Sequence, residues 1–272
     1  MAREISKDMQ LCISLAARPS NIGTRFHNFL YEVLELPFIY KAFAPRDIGD
    51  AVRGIRGLPI RGAAVSMPYK AAVIPLIDDL DPSAAEIGAV NTIVNSDGVL
   101  RGYNTDVIAV EQLLREQGVR TDVPVALLGS GGMASACASA LARLGFDKVT
   151  IVARNRVSGC ALADRHGWSW QERAEPRFSV LLNATPIGMA GAVESAELPV
   201  AEDVVAHAET IFDVIAFPPD TPLMRLATQQ GKKTISGDSV MTLQAVEQFV
   251  LYTGVRPPLD LIDRAAAHSR SL

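Results

Sequence analysis

A chain of 272 residues can bury a large core and, at roughly 100–200 residues per domain, is long enough for two domains. Its 49% apolar and 21% charged residues are the balance of a soluble globular protein, and 26 basic against 30 acidic side chains leave a net charge of −4. That balance excludes electrostatic attraction to nucleic acid or an anionic membrane. No apolar run reaches the roughly 18 residues a membrane helix needs, and the N-terminus MAREISKDMQLC is too charged for a signal peptide. Cys12, Cys137 and Cys160 are odd in number and lack C-x-x-C spacing, as expected of free thiols in a reducing compartment. A cytoplasmic protein is expected, a monomer or homodimer.

LCISLA (11–16) reads as a first buried strand, and TRFHNFLYEVLEL sets Phe26, Phe29, Leu30, Val33 and Leu34 at helical spacing. FIYKAFA is a second strand, DIGDAVRGIRGL a short amphipathic helix, and IRGAAVSM a third strand that ends at Pro68. AAEIGAVNTIVNSDGVLRGYN holds two strands joined by an Asp97-Gly98 turn. A connecting helix is predicted from Thr105 to Gly118. After RTDVP the pattern changes. VALLG is a short, fully apolar run, the mark of a strand buried on both faces. A helix follows to about Gly145, then KVTIVAR, a second helix (VSGCALADRHG), WSW, FSVLLNATP, TIFDVIAF and KTISG. Strands alternating with helices argue for a parallel, doubly wound sheet. VMTLQAVEQFVLYTGV is a long amphipathic helix, and a last helix follows Pro258. The predicted fold class is α/β, with an N-terminal α/β domain (1–106, rejoined by helices of 238–272) and a Rossmann-type domain (107–237).

Between the VALL strand and its helix stands GSGGMA, residues 129–134. Gly129, Gly131 and Ala134 form G-x-G-x-x-A: a tight turn, a close approach to pyrophosphate, and close helix–strand packing. The helix N-terminus adds unpaired N–H groups and a partial positive charge. Gly129, Ser130, Gly131, Gly132, Met133 and Ala134 are the expected phosphate-binding stretch. An NAD site places a carboxylate about 20 residues further on for the ribose hydroxyl. Here VARNR offers Arg154, Asn155 and Arg156, with no carboxylate between Thr150 and Leu162. Guanidinium binds phosphate bidentately, so the expected cofactor is NADP.

AVSMPYK (64–70) puts Lys70 just beyond a strand end, and GAVNTIV (88–94) and GYNTD (102–106) supply Asn91 and Asp106 in similar turn positions. A lysine and an aspartate facing one hydroxyl could handle the proton that accompanies hydride transfer. At these residues the chain resembles the shikimate dehydrogenase family, which interconverts shikimate and 3-dehydroshikimate with NADP. The resemblance is carried by Met67-Pro68-Tyr69-Lys70, Gly88–Thr92, Asn104–Asp106, the glycine turn, Asn183–Met189, Asp213 with Thr221–Leu223, and Gln244, and so covers nearly the whole chain. It implies that the first domain binds substrate and the second NADP, with Lys70 and Asp106 as the catalytic pair. It further implies that Ser66, Asn91 and Gln244 contact substrate hydroxyls, and that Asn183, Thr185 and Met189 line the nicotinamide side.

The chain departs from the family pattern at four places. Asn21 and Gly23 stand where two serines hold the substrate carboxylate, with Arg18 and Arg25 as nearby cations; Asn21 is the expected substrate contact. Ala64, Ala216 and Val107 replace an asparagine, a tyrosine and a glycine. A divergent, shikimate-dehydrogenase-like branch is therefore expected. Two alternatives stay open: the same chemistry on a quinate- or aminoshikimate-type analogue, or a catalytically weak metabolite- or cofactor-binding homologue. His27, His166, His207 and His268 lack metal-ligand spacing, so no metal is expected.

Overall fold

The computed structural model describes residues 5–271, so the first four residues of the charged N-terminal stretch lie outside the described residues. The chain divides into two compact units, one running through Thr105 and resuming at Thr242, the other Asp106–Met241. Where the sequence reading starts the return at 238, the structure starts it at Thr242, inside an unbroken helix whose period leaves no mark of the crossing.

The first unit runs β1 (Gln10–Leu15), α1 (Ile22–Val33), β2 (Phe38–Phe43), α2 (Ile48–Gly57), β3 (Gly62–Val65), β4 (Asp79–Leu80), α3 (Pro82–Ala85), β5 (Thr92–Ser96) and β6 (Val99–Tyr103). Its sheet has the order β2-β1-β3-β5-β6-β4. β1 lies parallel to β2 and β3, whereas β5 runs antiparallel to both β3 and β6. The strand period of two splits β1 between two cores. Cys12 faces a cluster with Phe26, Leu30 and Tyr31 of α1, while Ile13 and Leu15 face Val52 and Ile55 of α2. Val246, Phe249, Tyr252, Leu261 and Ile262, from beyond Thr242, complete the first cluster, so the C-terminal helices return to this unit. β4 and α3, two and four residues long, are too short for a sequence period to show.

In the second unit follow α4 (Thr105–Glu116), β7 (Val125–Leu128), α5 (Gly132–Arg143), β8 (Val149–Val152), α6 (Arg156–His166), β9 (Ser169–Gln171), β10 (Val180–Asn183), α7 (Glu202–His207), β11 (Thr210–Asp213), α8 (Pro222–Gln229) and β12 (Lys233–Ile235). α9 (Gly237–Thr253) and α10 (Leu259–Arg270) close the chain. The sheet order β12-β11-β10-β7-β8-β9 is all-parallel and reverses direction between β7 and β10. This is the doubly wound arrangement, in which ligands bind beyond the strand ends at that switch point. Every residue of β7, β8, β10 and β11 is buried, and apolar residues fill all of β7 and most of the other three. α8 begins with Thr221, whose side chain accepts from Met224 N, and Pro222 at its first position, a start signal that the sequence reading did not use.

Candidate active site and nucleotide cradle

Antiparallel pairing decides what gathers at one edge of the first sheet. Ala64 pairs with Thr92, and Thr92 with Tyr103, so the start of β5 lies beside the ends of β3 and β6. Ser66 and Lys70 after β3, Asn91 before β5, and Asn104 and Thr105 after β6 are thereby brought to that edge. Backbone bonds lock it: Val65 N donates to Asn91 O (2.8 Å), Asn91 N to Tyr103 O (3.0 Å) and Val90 N to Lys70 O (2.8 Å).

Asn91 is the most informative residue here. It is 2% exposed, and its Oδ1 accepts from Thr105 N (2.8 Å), Thr105 Oγ1 (3.2 Å) and Thr92 Oγ1 (2.8 Å). Its Nδ2 is buried with no hydrogen-bond partner. Leaving such a donor unsatisfied costs about 1–3 kcal/mol, so an acceptor from outside the chain, water or ligand, would suit it. Lys70 is half-buried and Ser66 exposed at the same edge. Asp106, next in the chain after Thr105, is buried in the first turn of α4, where the helix dipole favours a carboxylate.

Gln248 Nε2 of α9 donates to Thr92 Oγ1 (3.1 Å) and Asn91 O (3.3 Å). Gln244, the glutamine that the resemblance singles out, is half-buried one turn earlier. The spacing of four that sets both on one helix face was available in the sequence, yet Gln248 was missed. Asn21 is exposed at the N-cap of α1 and makes no side-chain cap bond. Gly23 has no left-handed backbone, and a Cβ there would meet Tyr40 Oη at 3.7 Å, an ordinary contact. Arg25, one of the nearby cations, donates through Nη2 to Ser271 Oγ (3.0 Å) and keeps its charge.

Beneath this edge His27 is fully buried and stacked on Tyr40 (ring centroids 4.4 Å apart, 9° between planes). Both its ring nitrogens lack partners, and burial pushes its pKa down to about 3. The sequence expectation of a structural rather than ligating histidine agrees with that enclosure.

At the switch point of the second unit, Gly129 adopts φ +108°, and a Cβ there would lie 3.1 Å from Ala184 O. Only glycine suits both the left-handed backbone and the close approach of the β10 loop. A Cβ on Gly131 or Gly132 would meet nothing within 4 Å, so open space lies before the turn. Gly131 caps α5 without a side-chain bond, and Ala134 is fully buried against the sheet. First-turn N–H groups facing open space, with no side-chain cap, fit a pyrophosphate.

The loops after β8 and β10 flank this turn. Asn155 caps α6, its Oδ1 accepting from Ser158 N (3.1 Å), while Ser158 Oγ shares a 2.7 Å bond with Ser130 Oγ. Asn155 and Ser130 therefore shape the cradle from within. Arg156 lies over the Trp170 ring (5.6 Å), and Arg154 forms a two-pronged pair with Glu194 at 2.7 and 3.2 Å. Asn183, expected on the nicotinamide side, is bonded within its own loop and to the neighbouring strand. It is fully buried, its Oδ1 accepts from Thr185 N and Oγ1, and its Nδ2 donates to Asp213 Oδ1 (3.1 Å). Asp213 also accepts from Ile215 N (3.1 Å) and Thr221 Oγ1 (2.6 Å). Burial pushes its pKa up to about 6, while those donors pull it down. Met189 is exposed at the tip of the same loop.

Comparison with known proteins follows the same division. Residues 21–93 match the shikimate dehydrogenase substrate binding domain. A shikimate dehydrogenase-like protein of Haemophilus influenzae is 48% identical over 98% of this chain and 99% of its own length. The shikimate dehydrogenase (NADP(+)) of Chlorobaculum tepidum is 36% identical over 87% of both chains. Among solved structures, a shikimate 5-dehydrogenase-like protein superposes with a TM-score of 0.97 (48% identity, 98% of this chain and all of that one). The Thermus thermophilus shikimate 5-dehydrogenase, solved with NADP(H) and shikimate, gives 0.84 at 26% identity over 96% of this chain and all of that one. The Corynebacterium glutamicum quinate dehydrogenase, solved with NAD, gives 0.84 at 25% identity over 98% of this chain and all of that one.

Proposed function

The chain belongs to the shikimate dehydrogenase family, and from that membership we propose that it interconverts shikimate and 3-dehydroshikimate with NADP. The unpartnered Nδ2 of Asn91 carries this reading, since it offers a buried donor to a substrate hydroxyl at the edge that also holds Lys70. Bound NADP would accept the hydride from the hydroxyl-bearing carbon. Lys70 and Asp106 handle the proton that leaves the same hydroxyl, and return it in the reverse direction. Neither of the two is singled out as the group that carries the proton. Ser66 and Gln244 contact the remaining hydroxyls, and Asn21 offers its amide to the carboxylate. The glycine turn (Gly129–Ala134) holds the pyrophosphate, Arg154 and Arg156 the 2′-phosphate, and Thr185 and Met189 the nicotinamide side.

The altered turn at Asn21 and Gly23 favours a second reading, in which the preferred substrate is a quinate- or aminoshikimate-type analogue. One assay separates the two: NADP⁺ reduction followed with shikimate, quinate and aminoshikimate in turn. The first reading expects the highest kcat/KM with shikimate. A higher value for either analogue selects the second, and no reduction with any of the three overturns both.

A further inference from the structure

We propose that Glu194 sets the preference between the two nicotinamide cofactors, by competing with the 2′-phosphate for Arg154. The inference rests on NADP as the cofactor of this chain. Arg154 follows β8 at the position where a dinucleotide site reads the ribose 2′ substituent. Its guanidinium presents a fork that suits phosphate, and two of its five N–H groups already serve a carboxylate: Nη1 donates to one oxygen of Glu194 at 2.7 Å, and Nη2 to the other at 3.2 Å. Glu194 comes from 40 residues further along and is held in place by its own backbone, since Gly188 N donates to Glu194 O (3.0 Å). Its side chain is 27% exposed, against 72% for the arginine, so the carboxylate is the better anchored partner.

A 2′-phosphate that takes the same end of Arg154 displaces Glu194, and one that takes the remaining N–H groups binds beside it; either way the carboxylate stays nearby as a like charge. Two like charges a few ångströms apart repel each other even at a protein surface. NAD carries no 2′-phosphate, so it leaves the Arg154–Glu194 pair intact. The chain thus combines a phosphate-binding guanidinium with a carboxylate that opposes the same phosphate. Its preference for NADP is accordingly smaller than two arginines alone would give.

Isothermal titration of NADP⁺, NAD⁺ and adenosine 2′,5′-bisphosphate into wild type and Glu194→Gln tests this without reliance on turnover. Glu194→Gln is expected to tighten NADP⁺ and the bisphosphate by about 5- to 30-fold, as loss of one nearby like charge implies. NAD⁺ should stay within about twofold. An unchanged NADP⁺ affinity, or an equal shift for NADP⁺ and NAD⁺, overturns the inference while leaving the cofactor reading in place. A wild type that binds neither dinucleotide overturns both together. Glu194→Ala serves as the second variant, and a tightening of NADP⁺ in only one of the two counts against the proposal.

Discussion

Beyond β7 the chain presents backbone: Gly131 and Gly132 face open space, and α5 starts with no side chain capping it. Beyond β3 and before β5 it presents side chains instead, with Asn91, Ser66 and Lys70 at one sheet edge. The two regions answer different demands. A pyrophosphate is common to every nicotinamide dinucleotide and is met by N–H groups that every residue but proline carries, so the glycines are the constraint. A cyclic hydroxy acid differs from its analogues by single polar groups, and each must be matched by a particular side chain. Substitution in the first unit is therefore expected to alter which substrate fits, and two of the four family departures (the Asn21/Gly23 turn and Ala64) lie there.

The sharpest break of this comparison is at Lys70. Lys70→Ala should lower kcat by roughly 10²–10⁴-fold, with a much smaller change in KM, because the loss lies in the transition state. Steady-state kinetics with saturating NADP⁺ decides it, and near wild-type kcat would reduce Lys70 to an ordinary surface charge. In the second unit, Arg154→Ala should weaken NADP⁺ by about 10-fold or more and leave NAD⁺ almost unchanged, as a lost charge-assisted bond implies. Equal losses in direct binding of both dinucleotides would make Arg154 structural.

A smaller effect is expected at the turn before α1. Gly23 needs no left-handed backbone and its neighbour Tyr40 leaves room for a Cβ, so Asn21→Ser with Gly23→Ser should fold as wild type does. The variant exchanges the Asn21 amide for a hydroxyl and adds a second one, a net gain of one donor. That gain should raise kcat/KM for shikimate several-fold, on the order of 1 kcal/mol. A drop in kcat/KM, in a variant that keeps its Tm, would show that Asn21 and Gly23 already serve the carboxylate. The smallest effect concerns stability alone. His27 holds a pKa of about 3 when folded, against 6.5 in a model peptide, because burial excludes the charged form. Below about pH 6.5 the unfolded chain gains a proton that the folded chain refuses, so this contribution to stability is lost progressively down to about pH 3. Tm measured from pH 7.5 to 4.5 should fall less steeply in His27→Phe than in wild type. Identical slopes would remove His27 from the acid response.

Legibility followed the same line between backbone and side chain. The G-x-G-x-x-A turn, its strand and its helix could be read locally, because glycine and alanine are there for reasons set within six residues. The hairpin at Asp97-Gly98 was equally local, with Asp97 at φ +53° and Gly98 at +90°. Glu194 was not readable, since it meets Arg154 from 40 residues away and nothing in AGAVESAEL marks it. The bond from Asn183 to Asp213 was not readable either, since it joins residues 30 apart in the chain. α7, six residues long, was too short to show a period.

The claim that chemistry and nucleotide binding rest on separate parts of the chain is tested most directly by titrating NADP⁺ into Lys70→Ala. The account predicts a Kd within about twofold of wild type in a protein whose turnover of shikimate has fallen at least 100-fold, the lower bound for a lost acid–base group. A Kd weakened tenfold or more would contradict it.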